Sequence, residues 1–245
     1  MLILSIDTST TVCSVALHQI NETTAQNPEK ARLLGSYELF TERTSSAMLT
    51  TLISDVVRHS GHDLQQLDAI AVAKGPGSYT GLRIGVSTAK GLCFALDKPL
   101  IAINTLEAMA AQVRPWITST NADSTLPILC PMLDARRMEV YCALYGEANT
   151  VVMPTSAKIV DEQTFTDVLD RNPVVFFGDG ADKCRPVLSD HSNARFLAQL
   201  IHPSARTVGE LAGVAFVERR FEDVASFEPF YLKDFMTTKP KKASV

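Results

Sequence analysis

The stretch Asp68-Ala-Ile-Ala-Val-Ala-Lys-Gly-Pro-Gly-Ser-Tyr-Thr-Gly-Leu-Arg-Ile-Gly-Val-Ser-Thr-Ala-Lys-Gly-Leu92 sets the fold. It reads as a buried strand, a glycine loop and a helix crowded with small residues. Residues 70–73, Ile-Ala-Val-Ala, make the short apolar run of a central strand. Gly75, Pro76 and Gly77 predict a tight turn that a side chain at either glycine would obstruct. From Thr80 the chain turns helical, with Gly81, Gly85, Ala89 and Gly91 spaced along it. Each interior glycine costs a helix about 1 kcal/mol relative to alanine. A helix carrying several therefore needs something packed very close to its backbone.

Outward from this stretch, residues 1–6 form an apolar strand and 13–18 alternate as its hairpin partner. A polar loop at 21–32 leads to a third strand at 33–40. A helix follows at 45–59, with Met48, Leu49, Leu52, Ile53, Val56 and Val57 on one face at 3.6-residue spacing. Thr44 or Ser45 is placed to cap it, and Gly61 follows its end. Strand 70–73, the glycine helix, a strand at 100–103 and a helix at 105–114 complete the order βββαβαβα. That order resembles the RNase H-like half of the actin, Hsp70 and sugar-kinase superfold. After a polar linker at 115–125 the pattern partly recurs. Strand 127–133 ends in Asp134 as the first ends in Asp7, residues 139–145 alternate, short strands are expected at 151–153 and 158–160, and strand 174–177 leads into Gly178-Asp179-Gly180. A helix is expected at 208–220. The reading is α/β with two RNase H-like lobes, 1–114 and 126–236, the second degenerate, and a flexible basic tail at 237–245.

Composition narrows the function classes. The chain has 245 residues, 46% of them hydrophobic, and a formal net charge of −4. No global basic field attracts nucleic acid, so any such contact is local or made through a partner. Five cysteines without a C-x-x-C pair read as buried reduced thiols. No apolar run approaches the roughly 18 residues of a membrane span, and the expectation is a soluble cytoplasmic protein with no membrane contact.

Several motifs carry chemistry on paper. Asp7-Thr8-Ser9-Thr10 opens a hairpin turn after the first strand, where hydroxyls and N–H groups either receive phosphates or bond within the turn. Gly75-Pro76-Gly77 with Thr80-Gly81 lacks the Lys-Ser/Thr of a Walker A loop and the third glycine of a dinucleotide fingerprint. It precedes a helix N-terminus, which can hold an anion. His59 and His62 straddle a helix end with no further ligand set apparent, and no G-x-S-x-G elbow exists.

Four segments in order carry a closer resemblance: 1–17, 68–109, 133–144 with Leu-Asp-Ala-Arg-Arg-Met-Glu-Val-Tyr, and Glu228-Pro-Phe-Tyr-Leu-Lys233. Together they resemble the TsaB (YeaZ) family of tRNA threonylcarbamoyladenosine biosynthesis. In TsaD, the family's catalytic paralog, the helix after the fifth strand carries an Asn-His-x-Glu-x-His metal motif. Here the segment is Asn104-Thr105-Leu106-Glu107-Ala108-Met109, with threonine and methionine where imidazoles would stand. The resemblance thus implies a non-catalytic, activating subunit for threonylcarbamoyl transfer to adenosine 37 of tRNA, with no catalytic residue and no metal. It implies a TsaD-like partner or a second copy of the chain, a TsaE-like ATPase, and tRNA reached indirectly. No cofactor is expected to be tightly held, with ATP or ADP engaged only within the partner complex. The implied interface comprises Met48, Leu49, Leu52, Gly81, Gly85 and Ala89, and the vestigial nucleotide turn comprises Asp7, Thr8, Ser9, Gly75 and Gly77. The alternative is a small-molecule kinase or metallopeptidase of the same superfold, for which only Asp7 is a plausible element.

Overall fold

The computed structural model describes residues 1–21, 31–41, 44–117 and 126–233, without the side chains of 44–46. The core of the polar loop, the cap at Thr44 or Ser45, residues 118–125 of the linker and the basic tail lie outside the described residues.

Two five-stranded sheets form, built on one plan. In the first, β1 (Leu2–Asp7) lies between antiparallel β2 (Cys13–Gln19) and parallel β4 (Ala69–Gly75), flanked by β3 (Arg32–Leu39) and β5 (Leu100–Asn104). In the second, β6 (Ile128–Asp134) lies between antiparallel β7 (Glu139–Tyr145) and parallel β9 (Val174–Phe177), flanked by β8 (Val151–Ile159) and β10 (Ala194–Phe196). Helices α1 (Thr44–His59), α2 (Tyr79–Leu96) and α3 (Thr105–Val113) follow the third, fourth and fifth strands. Helices α4 (Thr166–Leu169), α5 (Ala181–Leu188) and α6 (Ala205–Val217) repeat those places in the second half. The duplication is thus complete in strand order and degenerate in helix length.

Side-chain size decides which helix covers which face. Strand residues alternate between faces. On β4, Ile70 and Val72 join Leu4, Ile6, Val15 and Leu17 beneath α1 and α2. Ala69, Ala71 and Ala73 point to the opposite face, where Val208, Ala212 and Ala215 of α6 cover them. Small residues on both sides bring helix and sheet close: a Cβ added at Gly209 would lie 2.2 Å from the ring of His18. In the second half, Leu106, Met109, Ala110 and Val113 of α3 cover Leu129, Leu133, Val175 and Phe177.

The chain does divide near 115–125 into two sheets, but the last helix of each half packs on the other half's sheet. Each sheet has a second apolar face that the helices on its first face do not reach, and burying it requires the crossing. Three expectations change. The strands expected at 151–153 and 158–160 are one strand, β8, in which Pro154 is tolerated because β8 is an edge strand. The last helix starts at Ala205, capped by the Ser204 hydroxyl accepting from the Arg206 N–H at 3.2 Å. The short elements α4, α5 and β10 add to the expected set. All five cysteines are buried thiols outside any disulfide.

Gly209→Ala tests the clasp of α6. The added methyl meets the ring of His18 and Ser5 Oγ, so the variant should lose about 1–3 kcal/mol in a denaturant titration.

Candidate functional site

The first strand delivers Asp7 to the start of a turn that the glycine loop then locks. Asp7 Oδ1 accepts from the Ser9 N–H at 2.8 Å and from the Ser9 hydroxyl at 2.7 Å. The Thr8 hydroxyl donates to the Gly81 carbonyl at 2.7 Å, and the Ser78 N–H donates to the Ser9 carbonyl at 2.6 Å. Asp7, Thr8 and Ser9 are all buried. A Cβ at Gly77 would sit 2.2 Å from the Ser9 carbonyl oxygen, so the loop can approach the turn this closely only without a side chain. The structure therefore brings Asp7, Thr8, Ser9, Gly75 and Gly77 together. It spends the Thr8 and Ser9 side chains on bonds within the fold.

Around Asp7 lies a buried polar seam beneath α6. Asp7 Oδ2 has no hydrogen-bond partner among the described residues. Burial, opposed by the bonds to Ser9, raises the Asp7 carboxyl to about 6. Ser14 accepts from the Ala205 N–H at 2.9 Å, and the Ser204 hydroxyl donates to Glu38 in a short hydrogen bond. Further along the seam His18 is fully buried and neither ring nitrogen has a partner among the described residues. Burial, with Arg206 nearby, lowers it to about 4. In the sequence His18 reads as one of several scattered histidines, and its place opposite Gly209 depends on the helix crossing.

The segment after β5 is packed rather than open. Asn104 Oδ1 caps α3, accepting from the Leu106 N–H at 2.9 Å and the Glu107 N–H at 3.3 Å. Its Nδ2 reaches across to Thr155 Oγ1 at 3.0 Å. Thr105 is buried, and Met109 fills the space beside Gly178, its Cε 2.9 Å from where a Cβ there would lie. Burial raises the Glu107 carboxyl, against the pull of Arg220 and Lys74. A hydroxyl and a thioether embedded in the core do not fit a hard or borderline metal. Among the described residues, no group of three or more His, Cys, Asp or Glu side chains is placed to hold one.

The interface expectation needs correction. Gly81, Gly85 and Ala89 do not form an outward stripe. All three are buried, and Cβ atoms at Gly81 and Gly85 would lie 2.0 Å and 2.3 Å from Thr8 oxygens. The neighbour that approaches so closely is the lobe's own first turn. Leu49 and Leu52 are buried as well, leaving Met48 exposed at 38%. The outer face of α2 instead carries Thr80, Arg83, Ser87, Gly91 and Phe94, with Phe94 exposed at 86%. A signal was available in the sequence: Phe94 falls outside the stripe of Leu82, Val86, Ala89 and Cys93.

The segment Glu228–Lys233, which the sequence offers only as part of the family resemblance, forms a strap. The Phe230 N–H donates to the Lys74 carbonyl at 2.8 Å, at the end of β4. Tyr231 lies against Tyr79 with ring centroids 4.7 Å apart, and Lys233 pairs with Glu139 on β7. The strap thus ties the two sheets together on the side of the glycine loop. With α2 it borders a groove of about 320 Å³.

Two RNase H-like lobes joined in this way define the actin, Hsp70 and sugar-kinase class of fold. The family described as TsaD, tRNA N6-adenosine threonylcarbamoyltransferase, matches residues 21–240. The tRNA threonylcarbamoyladenosine biosynthesis protein TsaB of Bacillus subtilis is 31% identical over 238 residues, covering 95% of this chain and 94% of that one. Its counterpart in Haemophilus influenzae is 28% identical, over 97% of this chain and 95% of that one. The solved structure of YeaZ from Pseudomonas aeruginosa superposes with a TM-score of 0.74 at 26% identity, covering 94% of this chain and 99% of that one. The chain belongs to the TsaB (YeaZ) family. Among the described residues, no helix is long and apolar enough to cross a membrane.

The packing and the seam each make a prediction. Gly85→Leu should destabilise the isolated chain by about 3 kcal/mol, seen as a lowered thermal midpoint, because it strikes the core rather than a docking face. The pH dependence has two opposed parts. An unfolded His18 titrates near 6.5 and the folded one near 4. Between those values the unfolded chain holds the extra proton, so acid favours unfolding. Asp7 titrates near 3.8 unfolded and about 6 folded. There the folded chain holds the extra proton, and acid favours folding. The two offset each other between about pH 6 and 4. In Asp7→Asn, His18 acts alone, and stability from pH 7 to pH 4 should fall by about 2 kcal/mol more than in the wild type. An equal change in unfolding free energy from pH 7 to pH 4 in the variant and the wild type, read by chemical denaturation, would refute it.

Proposed function

We propose that this chain is a non-catalytic, activating subunit in the transfer of a threonylcarbamoyl group to adenosine of tRNA. It would bind and order a TsaD-like catalytic subunit and join a TsaE-like ATPase, in the cytoplasm. The relatives named for threonylcarbamoyladenosine biosynthesis supply the pathway. The observation that carries the role is the locked first turn. The hydroxyl of Thr8 and the carbonyl of Ser9, which an open turn could offer to a ligand, are bonded to Gly81 and Ser78. General acid–base work requires a group within hydrogen-bond reach of a reacting atom. The turn is closed against that use, and the helix after β5 offers packing atoms at Thr105 and Met109. ATP or ADP would then be engaged only in the assembled complex.

The docking face belongs to the outside of α1 and α2, around Met48, Arg83, Gly91 and Phe94. A large exposed aromatic beside an open glycine suits a helix–helix contact. The same face would pair two copies of this chain when the partner is absent, and the partner would displace one copy. Activation would be a shift of the catalytic subunit toward its working conformation.

The test is a reconstituted transfer assay with TsaD-like and TsaE-like partners. Phe94→Glu should leave stability within about 0.5 kcal/mol, abolish co-elution with the partner and abolish turnover. Asp7→Asn at pH 7 should keep most of the activity. Loss of turnover in Asp7→Asn with the complex intact would show a working nucleotide turn and sink the proposal. Retained co-elution in Phe94→Glu would place the interface elsewhere.

A further inference from the structure

The Asp134-Ala-Arg-Arg-Met-Glu139 hairpin between β6 and β7 is a motif that the activating role leaves unexplained. Arg136 and Arg137 are consecutive residues with φ of 72° and 52°. The left-handed region is uncommon for any residue with a side chain, and glycine or asparagine is the usual occupant of such a hairpin turn. Two arginines in a row there are held by the surrounding bonds. The Ala135 N–H donates to the Glu139 carbonyl and the Glu139 N–H to the Arg136 carbonyl, both at 3.1 Å. The Arg136 N–H donates to Asp134 Oδ1 at 2.9 Å.

The charges around the tip are arranged unequally. Asp134 and Glu139, the acids nearest the arginines in sequence, are already paired with Lys183 and Lys233. Lys183 also donates to the Glu139 carbonyl at 2.7 Å, and Lys233 to the Ala135 carbonyl at 3.4 Å. Both arginines are exposed, and among the described residues neither guanidinium has a hydrogen bond or ion pair. The lysines pair with the acids, and Arg136, which also interacts with the Asp134 charge, and Arg137 stand exposed at the tip of a chain whose net charge is −4.

We infer that this hairpin tip is a contact for the phosphate backbone of folded RNA, tRNA in the first instance. A guanidinium presents a planar fork of donors that grips a phosphate through two bonds. Strained backbone at an exposed pair of cations is a pattern in which local stability is given up for a ligand. The choice of RNA over an acidic protein segment rests on the proposed role in tRNA modification. It adds a direct contact to the one the catalytic partner provides. A locally cationic tip is also what an acidic chain needs, since its overall field repels a polyanion.

The experiment uses the full chain and unmodified tRNA, with affinity followed by fluorescence anisotropy across a salt series. Arg136→Gly/Arg137→Gly relieves the backbone, so its thermal midpoint should be equal or higher. Its tRNA affinity should fall about tenfold, and the plot of log affinity against log salt should become shallower by about 1 to 2, roughly one for each phosphate that is no longer neutralised. Arg136→Lys/Arg137→Lys should keep most of the salt slope. Unchanged affinity and slope in the glycine variant would overturn the inference. So would binding of polyglutamate that depends on both arginines while tRNA binding does not. Failure of the wider role reads differently: wild-type chain that leaves reconstituted transfer unaffected, yet binds tRNA through both arginines, would sink the proposed function and keep the hairpin contact.

Discussion

The approach of the α2 backbone to the turn after β1 is the contact on which the rest of the molecule depends. Gly77, Gly81 and Gly85 leave no room for a Cβ against Ser9 and Thr8. Two hydrogen bonds, Thr8 hydroxyl to Gly81 and Ser78 N–H to Ser9, hold the surfaces together. The helical glycines sacrifice helix propensity, about 1 kcal/mol each, and the close packing offsets that cost. The fixed turn sets where Asp7 stands and how the glycine loop leaves β4. It also leaves one face of α2 wholly committed to the lobe, so that only its outer positions remain for a partner.

The exchange of α3 and α6 between the sheets joins the halves through shared apolar cores. Because α6 crosses over β1 and β2, the polar residues on that face, Ser5, Asp7, Ser14 and His18, are sealed from solvent. An unpaired buried polar atom costs on the order of 1–3 kcal/mol. The seam concentrates several of them, on Ser5, Asp7 and His18. One consequence is the pairing of two opposite protonation responses. A carboxyl held up by burial and an imidazole held down by burial keep the seam neutral over the same pH range.

Much of this architecture is legible in the residues. The element order of the first half follows from periodicity, and Asp7 and Asp134 at corresponding strand ends mark the repeat, whereas β10 and the continuity of β8 do not show in the pattern. The close approach at α2 follows from its glycines. The identity of the approaching surface does not, because glycine spacing says that a backbone is near without saying whose. Counting Gly81, Gly85 and Ala89 as an outward stripe treats a lobe-internal contact as an external one. The crossing of α6 is equally hidden: its apolar stripe would suit either sheet, and only the alanines at 69, 71 and 73 mark the face it covers. Pro154 reads as a strand break unless β8 is known to be an edge. The left-handed arginines leave no trace in composition, since their conformation is fixed by bonds from Asp134 and Glu139 across the loop.

The two faces of α2 are therefore under different constraints. Inward, at Gly81 and Gly85, the limit is set by oxygen atoms of Thr8, and any added carbon must displace the first turn. Outward, at Gly91 and Phe94, a side chain meets solvent: a Cβ at Gly91 has no atom within 4 Å. The outer face can change its chemistry with its partner at little cost to the fold, whereas the inner face cannot. The first turn is closed by its bonds to α2, and the far side of the same helix stays exposed. One helix thus locks the turn on its inner side and leaves its outer side to solvent, where the proposed docking contact would fall.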